Sequence, residues 1–212
     1  GTLTQRKIDE VDVTRDGKSQ RVQLLAVSGQ GLTPQFAWTT TGSKARLFAV
    51  VSPGYLLAIE EGWESNGALL ETRQKAAEAT LLKDMAARLK KPMVGMTVIR
   101  NARVFDSENA KLLPASDVYV LRGKITAVLP AGSPTRGADN EIDASGRVLL
   151  PGLFDMHGHV GRWDGGLNLA AGVTTVRDMG NDNVTLQQII DETGAGQLLS
   201  PQIVPTGFLE GE

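Results

Sequence analysis

The sequence predicts a mixed α/β fold with an N-terminal β-rich unit and one long helix (residues 1–91), a β-sandwich-like module (residues 92–147) and an α/β segment (residues 148–212). Hydrophobic residues alternate with period two before residue 60 and again after Pro92, which indicates strands. Between these two regions, apolar residues recur at the spacing of an α-helix. A nearly continuous apolar run after Arg147 is typical of a strand in a parallel sheet covered by helices.

In the N-terminal unit, residues 11–59 carry strand signals, and Arg15-Asp16-Gly17 marks a turn. Residues 66–91 predict an amphipathic helix that Pro92 ends. We expect its apolar stripe to dock on its own sheet; the alternative is a partner-binding surface. Trp38 and Trp63 are expected to be core residues.

The middle module shows four short strand-like runs, at residues 97–105, 117–121, 124–129 and 140–142. Arg122-Gly123 separates two of them and predicts a hairpin turn.

The last part reads as a strand, a short helix, a strand, a helix and a strand. The strands are predicted at residues 148–154, 173–176 and 202–205, the first of them buried on both faces. Asn183 or Thr185 is expected to cap the second helix, and Gly194 to end it. This order describes the start of an α/β architecture.

Composition excludes several classes of function. The 212 residues carry a formal charge of −2 with both signs mixed, so nucleic acid is not an expected partner. No apolar run approaches the roughly 18 residues of a membrane span, and no signal peptide is visible. The chain contains no cysteine, which excludes thiolate ligands but does not identify a compartment. Gly1 is consistent with a tag-removal scar, so an export signal ahead of it stays open.

The two histidines of the chain, His157 and His159, stand two residues apart at the end of the most apolar strand. Residues i and i+2 of a strand share a face about 6 to 7 Å apart, so both rings can bind one ion. Asp155 is a candidate to orient a ligand histidine, or it only bonds the strand end. Gly158 allows close approach of another segment. The alternative for the pair is half-buried packing.

Three segments carry a family resemblance. Residues 143–159, with Pro151-Gly152-Leu153-Phe154-Asp155-Met156-His157-Gly158-His159, resemble the first barrel strand of the amidohydrolase superfamily. Residues 171–180, ending in Arg177-Asp178-Met179-Gly180, resemble the second barrel strand of its imidazolonepropionase-like branch. Residues 96–142 resemble the β module that precedes this barrel. The resemblance spans about residues 96–207 and leaves residues 1–91 as an added unit.

The resemblance implies a (β/α)8 TIM barrel hydrolase in which one or two divalent ions, expected to be zinc, activate water to attack an amide, cyclic imide or related C–N bond. It implies His157 and His159 as metal ligands. Asp155 and Asp178 are the other pocket candidates, although a strand-end aspartate such as Asp178 more often caps a turn. The remaining family ligands and the catalytic base match no residue here, so no catalytic residue is assigned.

A whole barrel needs roughly 250 residues, so we expect this chain to be an inactive fragment of such an enzyme. Its uncovered strands should self-associate or be covered by a missing C-terminal segment. A small-molecule substrate is expected, but the sequence does not identify it. Arg162, Trp163 and Asp164 either form the rim of a substrate site or cover the end of the barrel. The rival hypothesis is a non-catalytic binding or assembly module derived from an amidohydrolase.

Overall fold

The computed structural model describes residues 2–135 and 137–207, which form three β-sheets and three α-helices. The sheets follow one another along the chain, and the mixed α/β class predicted from the sequence is confirmed. Within these ranges no helix is both long and apolar enough to cross a membrane.

The first sheet is an antiparallel meander whose strands pair in chain order. Its five strands are β1 (Thr4–Arg15), β2 (Lys18–Ser28), β3 (Gln35–Thr40), β4 (Leu47–Ser52) and β5 (Leu56–Ile59). The predicted turn between β1 and β2 is confirmed, since Asp16 and Gly17 both take positive φ, 49° and 73°. The sheet buries Trp38 and Trp63 in its core, as expected for both.

Helix α1 (Gly67–Leu89) agrees with the predicted helix to within two residues at each end. Its first half docks on its own sheet, where Leu70 joins the sheet core and Gln74 is buried. Its second half packs against the C-terminal part, where Leu82 forms a separate cluster with Ile189 and Leu198. The helix therefore joins two parts of the molecule.

The second sheet contains β6 (Met96–Asp106), β7 (Lys111–Leu121), β8 (Lys124–Pro130), β9 (Asn140–Asp143) and β10 (Val148–Leu149). The predicted hairpin turn is confirmed, with Arg122 and Gly123 at φ 52° and 73°.

The described residues of this module form a single mixed sheet, and the sandwich-like arrangement stays a prediction. An irregularity at Asn101, which has a φ of 57°, interrupts the register of β6. Strand β9 pairs in parallel with β6 before this point, and β10 pairs in parallel with β6 after it. Both returning strands therefore extend one sheet.

The third sheet is parallel, in the order β11 (Leu153–Gly158), β12 (Val173–Asp178) and β13 (Gln202–Pro205). Helix α2 (Asp164–Ala170) joins the first two strands and α3 (Asn183–Gly194) the last two. This confirms the predicted α/β order. These are three strands of an open sheet, and the described residues close no barrel.

Three details of this part were predicted wrongly. The apolar run at residues 148–154 is not one strand, because Pro151 separates β10, in the second sheet, from β11 in the third. Proline lacks the N–H that a continuous ladder needs. Nor is β11 buried on both faces, since it is an edge strand with Phe154 67% exposed. Asp182, not Asn183 or Thr185, caps α3 by accepting from the Thr185 amide, and the helix extends through Gly194 to a cap at Ala195.

Candidate metal centre

The two histidines lie at the carboxyl end of the parallel sheet. His157 is the second-last residue of β11, and His159 follows the strand directly. Their ring centroids are 5.7 Å apart at an interplanar angle of 64°, and both residues are exposed. The pair is thus accessible from solvent and close enough for both rings to approach one ion.

The ring of His159 is held by the next strand segment. Its Nδ1 lies 2.7 Å from the carbonyl oxygen of Gly180, which follows β12. A carbonyl oxygen only accepts, so Nδ1 must carry the proton and donate. In the neutral ring with this tautomer, Nε2 carries the free lone pair, which is the form of imidazole that binds a divalent ion. The geometry of His159 therefore fits a metal ligand.

Gly158 permits the close strand contact that places these groups. A Cβ at this position would lie 2.6 Å from Cγ1 of Val176, on β12. The Gly158 carbonyl also accepts from the Met179 amide at 3.0 Å. The prediction that this glycine allows another segment to approach is confirmed.

Asp155 does not orient a histidine ring. Its Oδ1 accepts from the backbone amide of His157 at 3.0 Å, which is the strand-end alternative considered from the sequence. The register of β11 against β12 is irregular between Asp155 and Gly158. The alternation of side chains in a regular strand therefore does not predict that Asp155 and His157 lie on the same face of the sheet.

Asp178 is fully buried and also serves the backbone. Its Oδ2 accepts from the amide of Val160 at 2.8 Å and from Nδ2 of Asn181 at 3.3 Å, and its Oδ1 accepts from the amide of Gly180 at 3.2 Å. It caps the turn after β12 and binds the residue that follows His159. These contacts agree with the turn-capping alternative considered from the sequence, and a role of Asp178 in the metal pocket stays a prediction.

Arg162, Trp163 and Asp164 all make contacts within the chain, and the substrate rim considered from the sequence stays a prediction. Arg162 pairs with Glu192 of α3, and Trp163 donates through Nε1 to Glu78 of α1 at 2.8 Å. Asp164 accepts from the Gly161 amide at 3.1 Å. Each side chain is engaged in holding the segment to its neighbours.

Sequence reasoning did not identify Gly180 or Asn181 as parts of the site. Gly180 acts through a backbone carbonyl, which has no signature in the sequence. Asn181 donates from Nδ2 to the carbonyl of Val160 at 3.1 Å. Across the ranges that the structure covers, no group of three or more histidine or acidic side chains is placed to hold a metal ion.

Comparisons with known proteins give local matches. No family model matches the chain. An adenine deaminase of Chelativorans sp. (strain BNC1) is 41% identical over 63 residues, which are 30% of this chain and 10% of that protein. An allantoinase of Streptomyces avermitilis is 41% identical over 92 residues, 39% of this chain and 20% of that protein. The matched part is thus a tenth to a fifth of these relatives.

Two solved structures share part of the fold. A proposed prolidase from Bifidobacterium longum matches with a TM-score of 0.50 and 25% identity, over 56% of this chain and 31% of that chain. A Xaa-Pro dipeptidase with bound methionine matches with a TM-score of 0.50 and 20% identity, over 54% and 34%. The second likeness concerns the fold alone. In each case about a third of the solved chain is matched.

Proposed function

The chain resembles the amidohydrolase superfamily, and on that basis we propose that it is part of a metal-dependent hydrolase of C–N bonds. His157 and His159 are its metal ligands in this proposal. The imidazolonepropionase-like branch and a complete (β/α)8 barrel stay predictions.

The observation that carries the proposal is the hydrogen bond from His159 Nδ1 to the Gly180 carbonyl. It fixes one tautomer and leaves Nε2 to bind an ion. An ordinary surface histidine needs no such bond. The site also lies at the carboxyl end of parallel strands, where α/β enzymes place their reactive groups.

A bound divalent ion, zinc in our proposal, would polarise a carbonyl and lower the pKa of bound water. The residues of this chain have the simpler tasks of holding and orienting. His157 and His159 supply two nitrogen ligands, the Gly180 carbonyl sets the tautomer of His159, and Asp178 fixes the backbone next to it. A tetrahedral zinc site needs further ligands, so we expect weak zinc binding and no hydrolysis from this chain alone.

The substrate class that we propose is an amide, a cyclic imide or a related C–N compound. Support comes from the relatives, whose names describe hydrolases of C–N bonds. Adenine and allantoin are therefore the first compounds to screen, with the full product of the reading frame as the enzyme.

The test is zinc binding measured by calorimetry, with the double substitution His157→Ala, His159→Ala and with Met156→Ala as matched control. Met156 directly precedes His157 on β11 and is exposed. We expect weak binding in the chain that the double substitution abolishes and the control retains. In the full reading-frame product, zinc should be stoichiometric by elemental analysis. Absence of metal from that longer product would overturn the proposal.

The rival is a non-catalytic assembly module, and one observation favours it. Leu153, Phe154 and Met156 of β11 are 56%, 67% and 58% exposed, which leaves an apolar edge available to another protein. Under this rival the histidine substitutions change neither metal content nor activity of any longer product, while substitutions on β11 change its assembly.

A further inference from the structure

A chain of polar contacts leads from the core of the N-terminal unit to Trp163, four residues after His159. We propose that Glu78, on helix α1, is a positioning residue for the His157–His159 site. It would act by holding Trp163 and, through it, the segment of residues 160–163 that follows His159. This inference rests on the proposed function and gives a role to residues 1–91.

The segment of residues 160–163 is fixed at its start by β12. Val160 is buried, its amide donates to Asp178 Oδ2 at 2.8 Å, and its carbonyl accepts from Asn181 Nδ2 at 3.1 Å. Because Val160 is bonded to His159 in the chain, a displacement of this segment that reaches Val160 would also displace His159.

The end of the same segment is held by two other elements. The Trp163 Nε1–H donates to Glu78 Oε2 at 2.8 Å, and the Trp163 ring packs against Phe36 of β3 with centroids 5.7 Å apart. Arg162 pairs with Glu192 of α3. A hydrogen bond to a carboxylate is stronger than a neutral one and is directional, so the contact with Glu78 sets position as well as adding stability.

Glu78 is itself held in place from the N-terminal core. Gln74, which is 1% exposed, donates from Nε2 to Glu78 Oε1 at 2.8 Å and to the Val51 carbonyl at 2.8 Å. The Gln74 Oε1 accepts from Trp38 Nε1 at 3.1 Å. Both carboxylate oxygens of Glu78 are thus used, one toward the first sheet and one toward the histidine site. Packing alone would not require this polar connection.

The experiment uses nitrogen NMR of the histidine rings, because the chain has only 2 histidines and both signals can be assigned by substitution. Spectra are taken at about pH 8, where free histidine is neutral. In the unaltered chain we expect His159 in the single Nδ1–H tautomer. In Trp163→Phe, which keeps a ring against Phe36 but has no donor, and in Glu78→Ala, we expect a mixture of tautomers.

Zinc alone is the second probe. We expect the two variants to bind zinc about three- to tenfold more weakly, which is less than the roughly 10- to 100-fold known for residues that contact a ligand directly, because Glu78 acts through Trp163. Glu78→Gln keeps an acceptor for Trp163 and should restore most of the signal. The control Glu71→Ala removes another α1 carboxylate, which accepts from the Gly54 amide and pairs with Lys75, and should change nothing at the site.

Two outcomes separate this inference from the proposed function. If folded Glu78→Ala and Trp163→Phe keep the single tautomer, with thermal unfolding showing only reduced stability, Glu78 is merely structural and the inference is wrong. If zinc fails to perturb either histidine of the unaltered chain, the metal site is wrong whatever the variants show. The tautomer alone decides the role of Glu78.

Discussion

At the scale of single residues, two glycines make a matched test of strand packing. A Cβ on Gly158 would meet Val176 at 2.6 Å, whereas a Cβ on Gly194, at the end of α3, meets nothing within 4 Å. We expect Gly158→Ala to lower the free energy of unfolding by about 1 to 3 kcal/mol through overpacking. Gly194→Ala should be neutral or stabilise by up to about 1 kcal/mol through helix propensity. Urea unfolding followed by circular dichroism measures both, and equal values would contradict the packing argument.

Asp178 provides a second prediction at this scale, because it accepts three hydrogen bonds in a fully buried position. Asp178→Asn replaces one acceptor oxygen by a donor that faces other donors. We expect a loss of about 1 to 3 kcal/mol in unfolding free energy. The control is Asp191→Asn at an exposed position of α3, where the Asn side-chain oxygen can still accept from Gln187, and it should change stability by less than about 0.5 kcal/mol. An equally mild effect at Asp178 would mean that the turn after β12 is not held by its side chain.

At the scale of elements, a buried carboxylate fastens the irregular part of β6. Asp117 on β7 accepts from the Asn101 amide at 3.0 Å, from Arg100 at 2.9 Å and from the Gly132 amide at 3.1 Å. Burial raises the pKa of Asp117, but the hydrogen bonds from Asn101, Arg100 and Gly132 together outweigh it and lower the pKa below its ordinary value. The charged Asp117 side chain thus fastens the irregular backbone at Asn101 to strand β7.

The sign of that pKa shift predicts the response to acid. A carboxylate with a lowered folded-state pKa adds stability above the unfolded pKa of about 3.9, and this stability is lost as the pH falls through the folded value. Asp117→Asn should therefore be less stable at neutral pH by about 1 to 3 kcal/mol, because a buried acceptor of three hydrogen bonds is replaced by a neutral amide, while Arg100 keeps its pair with Glu141. The difference in unfolding free energy between this variant and the unaltered chain should become smaller below about pH 4. Unfolding at a series of pH values measures this difference, and Asp84→Asn, at an exposed position, is the control. A difference that stays constant with pH would contradict the lowered pKa of Asp117.

Elements with a local cause were predictable from the sequence. The turns at Asp16-Gly17 and Arg122-Gly123 need two residues with positive φ, and helix α1 has a clear period and a proline after it. The break at Pro151 was missed because an apolar run looks the same whether it serves one sheet or two. The single sheet of residues 96–149 depends on how β9 and β10 return to β6, which no local pattern encodes.

The same distinction holds for the candidate site. The histidine pair and Gly158 were found because their spacing is local. The Gly180 carbonyl was missed, since a backbone acceptor has no residue signature. Glu78 and Trp163 stand 85 positions apart, and only the folded chain brings them together. Long-range partners of this kind require the structure.

At the scale of the whole molecule, α1 connects the first sheet to the third, and the third sheet still presents β11 as an open edge. Unpaired backbone groups beside exposed Leu153, Phe154 and Met156 form a template for another strand. We expect this chain to self-associate in a concentration-dependent way in sedimentation velocity experiments. Phe154→Lys should reduce the associated fraction severalfold, because a charge on an edge strand opposes pairing.

The control for that experiment is Leu32→Lys, which is 86% exposed but lies outside any strand, between β2 and β3. If exposure of a large apolar side chain were sufficient for association, both substitutions would reduce it equally. If the open edge is the cause, only Phe154→Lys acts, since strand pairing needs a ladder as well as apolar contact. A chain that stays monomeric at every concentration would show that β11 is protected despite its exposure. The edge of the third sheet would then be a poor candidate for the assembly role of the rival hypothesis.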